Sequence, residues 1–146
     1  MRLLAPLFCL TFLTHSAQGD SDIVTRQLAA GFTDTREALT LAIENRGLVI
    51  NYVSHIGDML ARTGADIGAT RQIYGQAEIV EFCSAALSRQ IMESDPHTIV
   101  QCPFAIAVYT LPGEDGKTWL SYRRPVGAAA SLVTPLLQAI VDGAAE

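Results

Sequence analysis

Residues 31–56 read GFTDTREALTLAIENRGLVINYVSHI, which is a helix, a stop and a strand in unbroken succession. Thr33 or Asp34 can cap the free backbone N–H groups of a first helical turn, and Asp34 stands three residues before Glu37 in a capping-box arrangement. Ala38, Leu39, Ala42 and Ile43 then fall on one helical stripe, with Arg36, Glu37, Glu44 and Asn45 opposite, so one face is made for burial. Gly47 provides the left-handed residue that closes such a helix. Directly after it, residues 48–56 are β-branched and aromatic, as expected of a strand packed on the preceding helix. Period-2 alternation puts Leu48, Ile50, Tyr52 and Ile56 on one face, and Val49, Asn51, Val53 and His55 on the other. His55 thereby comes to an exposed or half-buried strand end.

Working outward, residues 23–29 (IVTRQLA) read as a weakly patterned first strand. Residues 58–68 (DMLARTGADIG) read as one short helical turn and a glycine-punctuated loop, and residues 71–74 (RQIY) as a short strand ended by Gly75. From 77 to 93 the spacing of Ile79, Val80, Cys83, Leu87 and Ile91 predicts a helix stopped by Asp95-Pro96, with Glu78, Glu81, Glu93 and Asp95 on its solvated side. Residues 104–111 (FAIAVYTL) and 118–122 (TWLSY) flank a glycine-bearing loop, the signature of a hairpin. After Pro125 the stripe Leu132, Leu136, Leu137, Ile140 predicts a C-terminal helix. Its start is either Thr134 as cap with Pro135 in the first turn, or a position near Ala128 with Pro135 inside. The fold class is α+β: a domain over 20–125, and a helix over 126–146 that packs on it or extends it.

The chain opens with Met1-Arg2, an apolar run over 3–13, and then the small, polar stretch THSAQG at 14–19. One positive charge, a hydrophobic core and small residues at −3 and −1 (Ala17, Gly19) make a secretory signal peptide over 1–19. A run of 11 residues interrupted by Pro6 is too short for a permanent anchor, since crossing a bilayer takes about 20. The mature protein is expected in the periplasm or secreted. Cleavage after Gly19 removes Arg2 and no acid, so nine Lys+Arg face fifteen Asp+Glu and the formal charge moves from −5 to −6. With Arg123-Arg124 as its only adjacent basic pair, the chain lacks the cationic face that nucleic acid requires.

Cys9 leaves with the leader, and Cys83 and Cys102 remain. In an oxidising compartment the pair reads first as a disulfide, which would stabilise the fold by about 3 kcal/mol for a loop of this length. The sharper alternative is a redox or ligand site drawing on Cys83, Cys102, His97 and His55, with His97 favouring a thiolate. The spacing 55, 83, 97, 102 does not resemble a zinc motif, and neither CxxC nor HExxH occurs. No metal or other cofactor is expected, and no nucleophile elbow or glycine-rich phosphate loop is present. Tyr74, Tyr109, Tyr122 and Trp119 are expected as sheet packing. The expectation is a non-catalytic binding or accessory module with a Cys83–Cys102 staple, an unknown protein or small-molecule partner, and a homodimer through a sheet edge or the last helix. The alternative is a thiol/disulfide or sulfur-compound-handling accessory protein of an extracytoplasmic electron-transfer system.

Three stretches, GFTDTREALTLAIENRGLVINYVSHI (31–56), QIYG (72–75) and CPFAIAVYTLPGEDGKTWLSYRRP (102–125), resemble the domain of unknown function 302 family. The resemblance implies a two-layer α+β domain with helices on one side of an antiparallel or mixed sheet, and it brings no established reaction. Where that family usually shows Gly-Asn-Pro, this chain has Gly75-Gln76-Ala77, and where it usually shows Asp-Leu-Pro, this one has Gln101-Cys102-Pro103.

Overall fold

The computed structural model describes residues 22–146, so the expected leader lies outside the described residues. The chain alternates strand β1 (Ile23–Leu28), helix α1 (Phe32–Glu44), strand β2 (Val49–Ser54) and helix α2 (Ile56–Asp66). Strand β3 (Ala77–Cys83), helix α3 (Ala85–Ser94), strands β4 (Phe104–Tyr109) and β5 (Thr118–Arg123) and helix α4 (Ala130–Gly143) follow. The five strands form one antiparallel sheet in the order β1-β5-β4-β3-β2.

The core lies between the sheet and helices α1 and α4. Leu39, Ala42 and Ile43 of α1 and Val133, Leu137, Ile140 and Val141 of α4 meet Val80, Phe82, Ile106, Val108, Leu120 and Tyr122 from the strands. The α1 stripe is the one expected, and Gly47 does take a left-handed φ of 69° behind it. The start differs, however: Gly31 is the cap and no side chain closes it, with Asp34 merely adding an acid to the first turn. Helix α4 begins at Ala130 and runs through Pro135.

Four other expectations are corrected. Residues 77–83 form the central strand, and the helix is confined to Ala85–Ser94. Ile79, Val80 and Phe82 are β-branched or aromatic, and Val80 and Phe82 alternate into the core with no exposure. Ser84 supplies the break, its hydroxyl accepting from the Leu87 N–H to cap α3. Residues 56–66 are a full helix where a turn and loop were expected, and residues 71–74 are irregular. In β2 the register slips between Ile50 and Tyr52, so a bulge at Asn51 turns Tyr52 outward at 61% exposure and brings Val53 opposite Val80. The expected grouping of Ile50 with Tyr52 fails for that reason.

A chain of polar contacts ties α4 to the sheet: the Tyr122 hydroxyl donates to Gln138 Oε1 at 3.1 Å, Gln138 Nε2 to Asp142 Oδ1 at 3.1 Å, and Arg26 Nη1 to the same oxygen at 3.0 Å. Burial pushes the Tyr122 hydroxyl above the ordinary tyrosine value of 10.0, against a pull from Arg124 and with a smaller push from the nearby Asp142. The folded chain thus keeps a proton that the unfolded chain releases near pH 10, and this stabilisation is whole below pH 10 and drains as pH climbs past it. Melting temperature should fall from pH 9 to 11, and Tyr122→Phe, measured over the same range, should flatten that slope.

Candidate functional site

At the N-terminal end of β3 the sheet, α2 and residues 69–76 enclose a cleft of about 620 Å³. His55 stands where β2 hands over to α2, as that helix's N-cap residue. Glu78 lies on the core-side face of β3 beyond Val80, too close to the helix layer to reach water freely, and its side chain is only 16% exposed. Its two oxygens are both engaged: Arg36 Nε of α1 donates to Oε2 at 3.1 Å, and His55 Nδ1 lies 3.2 Å from Oε1.

The far wall is pinned rather than loose. Gly75 N–H donates to the Thr110 carbonyl at 3.0 Å, Gln76 N–H to the Thr110 hydroxyl at 2.9 Å, and Thr110 N–H back to the Gln76 carbonyl at 2.9 Å. A Cβ on Gly75 would sit 2.6 Å from that hydroxyl, so the approach requires glycine. Tyr74 completes the wall by packing edge-on against Tyr109, ring centroids 5.4 Å apart.

Of the four candidates from the sequence, Cys83 and Cys102 come near one another, but the four do not gather in one site. His55 is at the cleft, while Cys83 ends β3 five residues beyond Glu78, about 17 Å along a strand. His97 is exposed on a 3-10 helix, Pro96–Gln101, where its backbone N–H is held by Asp95 Oδ1 at 2.9 Å. Cys83 and Cys102 are both free, half-buried thiols, so the staple expected between them is not formed. Alternation along β3 puts Cys83 on the face of Ile79 and Glu81, away from α1, whereas Cys102 packs against the core with its Sγ 3.0 Å from the Ser88 hydroxyl of α3. Burial, and then the charge of the neighbouring Cys102, push the Cys83 thiol up, and His97 is not among the causes.

Sequence reasoning missed Glu78 by assigning it to a solvated helix face. The signal that finds it is a carboxylate in phase with Val80 and Phe82 on a strand pattern, a charge on the face meant for the core. Trp119, expected as sheet packing, also donates its indole N–H to Glu114 Oε2 at 2.7 Å.

The family model for "Domain of unknown function DUF302" matches residues 24–146. The chain belongs to the DUF302 family. Its fold is shared by the crystal structure of an uncharacterized conserved DUF302 protein from Bacillus stearothermophilus, with a TM-score of 0.59 at 16% identity over 86% of this chain and 89% of that one. No curated protein matches. The DUF302 resemblance and the helices-on-sheet architecture it implied both hold, and the sheet is antiparallel throughout. Among the described residues, no helix is long and apolar enough to cross a membrane.

Proposed function

We propose that this DUF302 chain is an exported, non-catalytic module that binds a small polar molecule in the cleft between α2 and β3. The observation that carries the reading is the double engagement of Glu78. A carboxylate with both oxygens held inside the protein is a positioning group rather than a free base. It fixes the imidazole of His55 through Nδ1 and leaves Nε2 to meet a ligand. Gln72 and Gln76, also in the lining, add amide groups of both polarities. Export is supported by the order of charge, apolar run and small-residue box over 1–19. The thiol redox reading draws less support, since a Cys83 thiol pushed up by burial stays protonated, and a protonated thiol is a poor nucleophile.

A heteronuclear NMR titration with a panel of small acids, amides and alcohols tests the binding reading. A binder is expected to shift residues 55–58 and 72–78, and Glu78→Ala, which removes both acceptor oxygens, should weaken it about tenfold by releasing His55. Chemical conversion of a panel member, followed by mass, would overturn the non-catalytic assignment. Intact mass of protein recovered from the periplasm is expected to show cleavage after Gly19, and a retained leader would overturn export.

A further inference from the structure

A second cavity, of about 650 Å³, opens on the side of the sheet away from α1, and its origin is a parting between two strands. The β4–β5 ladder covers only Ala107↔Ser121, Val108↔Leu120 and Tyr109↔Trp119. Beyond Ala107 each strand is instead held by its outer neighbour, β4 by β3 as far as Phe82↔Phe104 and β5 by β1 as far as Ile23↔Arg123. The parting is therefore fixed by the flanking strands rather than frayed. Through it the cavity reaches Val133 and Leu137 of α4, which are otherwise core residues. Its floor on the open face is small, with Ala105 and Ala107.

Charges of both signs line the mouth, Glu81 on one side and Arg123 with Arg124 on the other. Glu81 lies across from Ala105, and Arg123 at the far end of β5. The ion pairs among the described residues are Arg26–Asp142, Arg36–Glu78, His55–Glu78 and Arg89–Glu93, which leaves Glu81 and Arg123 outside all of them. Two strand spacings plus the parting put their Cα atoms at least about 10 Å apart. A chain of two or three residues, each adding about 3.5 Å, separates its terminal charges across β3, β4 and β5 more fully than one free amino acid does.

We propose that this cavity binds a short zwitterionic peptide of two or three residues. Its ammonium pairs with Glu81, its carboxylate sits on the Arg123 guanidinium, and an apolar side chain descends between β4 and β5 onto Val133 and Leu137. A guanidinium takes a carboxylate through two parallel N–H bonds, the ammonium is the natural partner of an unpaired carboxylate, and the apolar backing rewards burial of a side chain. The site is separate from the His55 cleft and does not depend on its reading.

Calorimetric and NMR titration with the dipeptide Ala-Leu tests it, with N-acetyl-Ala-Leu, Ala-Leu amide and free leucine as comparisons. Ala-Leu is expected to bind below about 1 mM and to shift residues 79–81, 105–107 and 121–126, with both blocked forms and leucine at least about tenfold weaker. Glu81→Gln should lose the preference for a free amino group, Arg123→Gln the preference for a free carboxylate, and both should melt close to the parent because these side chains form no ion pair among the described residues. Ala107→Leu, which fills the floor, should abolish binding. Equal affinity for acetylated and free dipeptide, shifts confined to the His55 cleft, or no shift at about 10 mM would overturn the proposal.

Discussion

Phe82→Ala is expected to destabilise the protein by about 3–5 kcal/mol and to lower its melting temperature by roughly 10–20 °C, read by calorimetry or circular dichroism. Phe82 sits on the central strand with no exposure, its ring tilted 60° against Phe104 at a centroid distance of 6.1 Å. The strands on both sides of β3 are paired along this stretch, Ile50 opposite on β2 and Phe104 on β4, so the sheet cannot collapse into the space. Helices α1 and α4 are fixed against the same layer by Leu39, Ile43 and Ile140, none of them exposed. A void ringed by paired strands and packed helices relaxes little, which places the cost toward the upper end. Phe82→Leu, which keeps most of the volume, should lose less than half as much.

The same residue shows why part of the fold was legible in the sequence and part was not. Helix α1 carries its period over thirteen residues and is followed by the left-handed Gly47, so period, polar face and stop all agree. In residues 77–83 they conflict. Glu78 and Glu81 are three apart and Ile79, Val80 and Cys83 sit at helical spacing, yet Val80 and Phe82 also fit a strand. Seven residues cannot separate the two periods, and the long run into a genuine helix at Ala85–Ser94 tipped the reading the wrong way. Ser84 was the available marker, a cap residue in mid-run. The bulge at Asn51 had no comparable marker, because a register slip is set by the partner strand.

The cleft was hidden by that same error. His55 was placed at a strand end, where it lies, but Glu78 had been sent to a solvated helix, so the pair could not be seen to meet. The cysteines illustrate the opposite failure. Their number and address favoured a bridge, while the strand alternation that sends Cys83 to one face and the core packing of Cys102 are properties of the folded sheet alone.

Gly57→Val is expected to separate the cleft from the core. Gly57 is the second residue of α2, and a Cβ there would lie 2.9 Å from the backbone nitrogen of Ala77 and 3.2 Å from its carbonyl oxygen. Those atoms belong to β3, where Ala77 is paired with Tyr109, so the strand cannot give way and the helix must move. No residue of α2 is fully buried, so its displacement costs far less than damage at Phe82. Overpacking of this kind typically costs about 1–3 kcal/mol, which predicts a melting temperature only several degrees lower. The geometry of the site pays more heavily, because His55 caps α2 and must travel with it, and the 3.2 Å contact between its Nδ1 and Glu78 is lost. In the NMR titration, a solute bound by the parent should show at least about tenfold weaker binding to Gly57→Val, while amide signals from α1, α4 and β5 stay in place. Unchanged affinity would mean that the ligand does not use the wall that α2 provides, and large shifts throughout α1 and α4 would mean that α2 is part of the cooperative core.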